Sequence, residues 1–449
     1  MSLPRYAEYK SSGAQWLGAV PAHWHVDRLK WSTADCKNGI WGDEPQQNED
    51  DIPCVRVADF DRQRLRVGLD DPTIRNVTAK ERSGRVLRLG DLLLEKSGGG
   101  EGQPVGCVVL YDDPSPAVCS NFVARIQMAP GMNPSFWRYV HAATYAIRLN
   151  TRSIKQTSGI QNLDQQQYLD EQAAFPPLAE QTQIAAFLDC ETAKIDALVT
   201  EQRRLMELMK EKRQAVISHA VTKGLNPDAP MKPSGIAWLG DVPEHWQAKR
   251  LKQVSMKLTD GEHISPSLSI EGVALLSAKD VRDRTIDYDV DKFVSEIDAI
   301  AFWRRCKPER GDVLVVSRGA TVGRVGLVTE NIEFCLMGSV ILCKPMNGYS
   351  PGFLYYVLNA KHSQTSLWFS SASSAQQAIY IRDVAEVPLA VPPIEERKAI
   401  VEFLDSEVAK LDTLTTEAQR AIDLLQERRT ALISAAVTGQ IDVRGAVAA

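Results

Sequence analysis

Few stretches of this chain carry residue types that could do chemistry. His23-Trp24-His25 offers two imidazoles, but a second copy of the motif reads His245-Trp246-Gln247. A ligand role for His25 has no counterpart there, so the motif is read as packing of its tryptophan. Glu396-Arg397-Lys398 has the Glu-x-Lys form of a nuclease site, yet its partner in the repeat is Glu180-Gln181-Thr182, which lacks the lysine. The glycine-rich run from Lys96-Ser97 through Gln103-Pro104 is matched in place by Ser317-Arg318-Gly319-Ala320-Thr321-Val322-Gly323-Arg324. A phosphate-binding loop closes its glycines with Gly-Lys-Ser/Thr and opens a helix. Here the Lys-Ser pair comes before the glycines and Pro104 leads into a strand, so nucleotide binding is not expected. No Asn/Asp-Pro-Pro-Tyr/Phe of an amino-methyltransferase is present, and no Cys-x-x-Cys. The chain is read as having no catalytic site and no metal site.

Binding chemistry is better supported. Arg62, Arg64, Arg66, Arg75, Lys80, Arg82, Arg85 and Arg88 crowd the first half, and Arg304, Arg305, Lys307, Arg310, Arg318 and Arg324 the second. Such clusters neutralise phosphates, and in the major groove arginine pairs with guanine. The net charge is −5, so any basic surface must be local. The candidate DNA-binding residues are Arg85, Lys96, Ser97, Gln103, Ser317, Arg318, Thr321 and Arg324. The two loops read either as flexible tips that approach DNA or as plain glycine-rich hairpins.

These candidates must be positioned by a duplicated frame. Pro176-Pro177-Leu178-Ala179-Glu180-Gln181 and Pro392-Pro393-Ile394-Glu395-Glu396-Arg397 open two similar stretches that close at Gly224 and Gly439. Proline suits a helix start, a first-turn glutamate suits the helix dipole, and a terminal glycine suits a left-handed cap. Each stretch reads as one helix of about 40 residues, roughly 60 Å long. A 4-3-4-3 apolar step nominates Ile184, Leu188, Ile195, Leu198 and Leu205 in the first helix, and Ile400, Leu404, Leu411, Leu414 and Leu425 in the second. That is the seam of a coiled coil. Helix 2 would have to run back along helix 1, giving an antiparallel rod with a globular domain at each end.

A tryptophan motif is duplicated too. Trp16-Leu17-Gly18, Val20-Pro21 and His23-Trp24 return as Trp238-Leu239-Gly240, Val242-Pro243 and His245-Trp246, all at the offset 238 − 16 = 222. The globular segments between motif and helix diverge, but share Gly90-Asp91 and Gly311-Asp312 turns into apolar strands, and helices opening at Pro134 and Pro351. The expected class is α+β: two mixed α/β domains joined by two long helices in a pseudo-two-fold tandem repeat. The expected division is 1–175, 176–224, 225–390, 391–440 and a flexible tail at 441–449. The 44% hydrophobic and 24% charged composition is that of a soluble globular protein. With no apolar run of membrane-spanning length, no signal peptide and scattered cysteines, the expected setting is the cytoplasm.

Taken together, the duplicated Trp-Leu-Gly and Val-Pro-x-His-Trp motif, the Pro-Pro-Leu-Ala-Glu-Gln helix start, and Gly90-Asp91 running into Glu95-Lys96-Ser97-Gly98 resemble the specificity (S) subunits of bacterial Type I restriction-modification systems. The resemblance covers nearly the whole chain. It implies two target recognition domains and a role in joining two modification (M) subunits into an adenine methyltransferase, to which restriction (R) subunits add an ATP-dependent endonuclease. S-adenosylmethionine, ATP and Mg²⁺ would then belong to the partners, and double-stranded DNA would be the ligand, with no membrane involved. Unlike heads imply an asymmetric, bipartite target, its half-sites about one helical turn apart, roughly 34–36 Å. Two other readings are a scaffold whose heads bind proteins and a free-standing enzyme.

Overall fold

The computed structural model describes residues 4–157, 159–237, 239–263, 267–372 and 378–446; Trp238 of the repeated motif lies outside them. The chain forms two compact units, Met1–Gln202 with Arg420–Ala449, and Arg203–Gln419. Each unit holds one globular segment and part of each long helix, so the helices are shared between units rather than standing as separate domains.

In the first unit an antiparallel core is built from β1 (Thr33–Asn38), β2 (Phe60–Asp61), β3 (Arg66–Val67), β4 (Leu92–Glu95), β6 (Val108–Leu110) and β7 (Val123–Met128), in the order β1-β7-β4-β6-β3-β2. Only the β6–β3 pairing is parallel. β5 (Ser97–Gly98), β8 (Ile154–Thr157) and β9 (Ile160–Leu163) form a small sheet in the order β5-β9-β8. Helix α1 (Pro134–Ala146) starts with proline inside an Asn133 cap that accepts from the Phe136 N–H at 3.2 Å. Helix α2 (Leu178–Lys223) follows.

The second unit repeats the plan with β10 (Ser255–Asp260), β11 (Val313–Val316), β12 (Val325–Leu327) and β13 (Val340–Pro345), in the order β10-β13-β11-β12. Helix α3 (Pro351–Asn359) again opens with proline, inside a Ser350 cap, and α4 (Ile394–Val437) is the second long helix. The Gly-Asp turns work alike. Gly90 and Gly311 take φ of +92° and +94°. Asp91 and Asp312 each accept a backbone N–H from three residues earlier, at 2.8 Å.

The long helices pair antiparallel within each unit. In the first, Ile184 and Leu188 share a core with Ile433, Ala436 and Val437, and Arg429 lies 3.4 Å from Asp196. In the second, Ile217, Ala220 and Val221 pack with Ile400, Leu404 and Val408, and Arg213 meets Asp412 at 2.6 Å. The seam shifts the register of the heptad expectation. Leu198, Leu205 and Leu414 are about half exposed, whereas Val199, Ala418 and Ile422 are buried and Met206 and Leu425 partly so. The inward positions of α2 are 184, 188, 192, 195, 199, 202, 206, 209, 213, 217 and 220, and those of α4 lie 216 later. Ten steps span 220 − 184 = 36 residues, a mean of 3.6. Doubled four-residue steps at 184–192 and 209–217 set that mean; between 188 and 213 the steps alternate 4-3 as a heptad does, one residue later than expected at 192, 199 and 206.

The ends of both helices are fastened by the duplicated tryptophan. Fully buried Trp24 donates its indole N–H to Glu180 in the first turn of α2 at 3.0 Å, and His23 meets the other carboxylate oxygen at 2.7 Å. The same ring lies against Gly439 at the end of α4, where a Cβ would fall 3.1 Å from it. Trp246 repeats this with Glu396 at 2.9 Å, His245 at 2.7 Å and Gly224. Gly224 and Gly439 have φ of +79° and +72°, the left-handed caps expected. A second tie recurs: Tyr139 donates to Asp189 at 2.8 Å and Tyr356 to Asp405 at 2.6 Å, with Arg138 and Arg284 as the respective cations. Residues 441–446 do not trail free. Val443 is fully buried, and the Asp442 N–H donates to the Pro4 carbonyl at 2.8 Å.

Candidate nucleic-acid interface

Where β4 and β11 end, the two units share one backbone hydrogen-bond frame. Gly39 N–H donates to the Val123 carbonyl, Ile40 to Cys119, Lys96 to Phe122, and Leu163 to Lys96. In the second unit Gly261 donates to Val340, Glu262 to Leu336, Ser317 to Ser339, and Ile379 to Ser317. Gly39 and Gly261 are needed for this close approach. A Cβ there would lie 2.1 Å from the Cys119 carbonyl oxygen and 2.2 Å from that of Leu336. Gly39→Ala is expected to cost about 1–3 kcal/mol in urea unfolding of the full chain, because neighbouring backbone must part. Gly102→Ala, which meets nothing within 4 Å, should fall within about 0.5 kcal/mol of the parent. Equal effects from the two would show that the notch is not tight.

On this shared frame the side chains differ. The first unit carries exposed Asn121 and Phe122, half-exposed Lys96, and Trp41 with the Arg75 guanidinium stacked 4.6 Å from its ring. The second carries Arg318, Ser339 and His263, whose ring sits over Gly338. His263 meets Asp260 at 2.7 Å, and Arg305 binds the other oxygen of the same carboxylate. Burial opposes ionisation of Asp260, but Arg305 and His263 outweigh it and hold the carboxyl below its ordinary range. Asp260, Ser317, Arg318, Gly338, Ile379 and Tyr380 line an open concavity of about 460 Å³.

The nominated residues fare unevenly. Ser97 and Ser317 are buried; the first donates to Asn162 at 2.7 Å and the second faces the Gly338 carbonyl at 3.4 Å, so both are part of the frame. Arg85 donates to the carbonyls of Asn38 and Glu81, and Arg324 to that of Val281. Gln103 is exposed on the glycine-rich loop, with its amide facing Arg62. Thr321 is half-buried, and Lys96 and Arg318 reach the surface at the frame. Much of the basic clustering is neutralised locally. Arg62 pairs with Glu95 at 2.9 Å, Arg82 with Asp50 at 3.2 Å, Arg66 with Asp112 and Arg75 with Glu44. In the second unit Arg305 and Lys307 are likewise paired, while among the described residues Arg318 has no carboxylate partner. An acidic chain supplies enough carboxylates to use most of its arginines structurally.

Sequence reasoning did not find Trp41, Asn121, Phe122, His263 or Tyr380. The available signal was the repeated glycine, since 261 − 39 = 222 is the offset of the tryptophan motif.

Residues 284–423 match the family model of the Type I restriction modification DNA specificity domain. The Type I restriction enzyme EcoBI specificity subunit of Escherichia coli is 26% identical over 338 residues, covering 73% of this chain and 70% of that protein. A solved chain from work on complex assembly and conformational transition of the type I R-M system superposes with a TM-score of 0.72 at 18% identity, covering 93% of this chain and 98% of its own. The crystal structure of the HsdS subunit from Thermoanaerobacter tengcongensis gives 0.52 at 17% identity, covering 94% and 98%. Over most of its length the chain is thus similar to specificity subunits of Type I restriction-modification systems, and it shares their fold.

Proposed function

We propose that this chain selects the DNA target of a Type I restriction-modification complex and performs no catalysis itself. Each unit reads one half-site, so the target is bipartite, and because the two edges carry different side chains its halves differ. The observation that carries this reading is the common backbone frame with unlike residues at matching positions, Lys96 against Ser317 and Phe122 against Ser339. Segments 1–175 and 225–390 serve as the recognition parts, and the helices within 176–224 and 391–440 as their supports.

The supports also favour docking of two copies of one partner. The first unit exposes Leu198 and Leu424, and the second exposes their repeat equivalents Leu414 and Leu208, all about half exposed. Two like patches suit two like modification subunits. S-adenosylmethionine, ATP and Mg²⁺ act on those subunits and on restriction subunits. No helix among the described residues is long and apolar enough to cross a membrane, and the proposed setting is the cytoplasm.

The test is binding of the full chain to duplex DNA across a salt series. The logarithm of affinity falling linearly with log salt is expected, since phosphate contacts release counterions. A chain that binds no DNA at low salt, while still capturing methyltransferase subunits, would replace this reading with that of a protein scaffold.

A further inference from the structure

The structure assigns base reading in the second unit to Arg318, and the base to guanine; this rests on the DNA-recognition reading above. The argument begins from the equivalence of position 318 with Ser97. Both follow the strand that ends the frame, and both pair across to the segment that returns after the helix: Ser97 opposite Asn162, and Arg318 opposite Ala378. In the first unit the position is closed, because Ser97 is buried and spends its hydroxyl on Asn162. In the second, a short methyl faces a long guanidinium, and that guanidinium lines the open concavity.

The neighbouring charges are already committed. Arg305 and His263 are held by Asp260, and Arg382 lies 3.6 Å from Asp383 and 5.4 Å from the Tyr380 ring centroid. Asp260 is thus neutralised and does not repel a nucleic acid or capture Arg318. Among the described residues no group takes up the five donors of Arg318, and its backbone is held by the bridge to Ala378. A planar donor fork on a fixed backbone matches the O6 and N7 acceptors of guanine in the major groove. A loosely held surface cation suits phosphate instead. Half-exposed Tyr380 and buried Ile379 give the concavity an apolar wall against which a base edge or thymine methyl would pack.

The experiment is selection from a randomised duplex library by the full chain, comparing the parent with Arg318→Ala and Arg318→Lys. The parent should enrich a two-part sequence. Arg318→Ala should lose roughly ten- to hundredfold discrimination for guanine at one position of one half, leaving the other half intact. Arg318→Lys should keep the salt dependence of binding while losing much of that discrimination, since a point charge lacks the fork. The intact half-site reports that the variants are folded. Enrichment of the parent sequence by Arg318→Ala would overturn the assignment. So would a loss of affinity equal across all sequences with a salt slope lower by about one, which marks a phosphate contact. If the parent enriches no sequence at all, the DNA-recognition reading itself fails.

Discussion

Trp24→Ala should lower the unfolding free energy of the full chain by about 3–5 kcal/mol, the range for deleting a buried aromatic side chain. The indole is fully buried and touches three elements at once. It donates to Glu180 at the start of α2, lies against Gly439 at the end of α4, and stands edge-on to Tyr6 with centroids 5.6 Å apart. Removing it opens a cavity and takes one donor from a nearly buried carboxylate. Trp24→Phe keeps most of the volume and should cost about 1–3 kcal/mol, mainly the lost hydrogen bond to a charged acceptor. Trp31→Ala is the control, since that side chain is 60% exposed and should shift stability by no more than about 0.5 kcal/mol. Urea unfolding followed by circular dichroism distinguishes the three. If Trp24→Ala behaves like Trp31→Ala, the tryptophan does not fasten the helix ends.

The second large effect concerns the paired aspartates. Asp189→Ala should cost about 3–5 kcal/mol, because it strands a cation. Arg138 is 1% exposed and two of its nitrogens already lack partners, so losing Asp189 leaves buried charge with no counterion. Burial holds the Arg138 guanidinium below its ordinary range, with Tyr139 and Asp189 opposing that effect. Asp405→Ala, at the equivalent position, should cost only about 1–2 kcal/mol. Its cation, Arg284, has a side chain 34% exposed and can turn to water, leaving mainly the Tyr356 hydroxyl unpaired. The cation comes from α1 in the first unit, where it is buried, and from the Arg284 loop in the second, where it reaches water. Similar costs for both would mean that burial of the arginine does not set the penalty.

Much of this molecule was legible in its residues. Prolines at 134, 176 and 351, glycines at 224 and 439, and the Gly-Asp turns mark local backbone demands that hold in any tertiary setting, and the helices and strands formed there. The duplication was equally plain, because identity at a fixed offset needs no structure to detect. The exposed faces of the helices were not. Leu198 and Val199 are both apolar, and only the partner helix decides which one turns inward; a register one residue later than expected chose the valine. The site was the least legible part. An arginine's partner is set by which carboxylate the fold brings near, so most of the basic clusters became internal ion pairs. The residues left at the two edges were gathered there by backbone pairing between segments 22 to 84 positions apart, an arrangement no local pattern encodes.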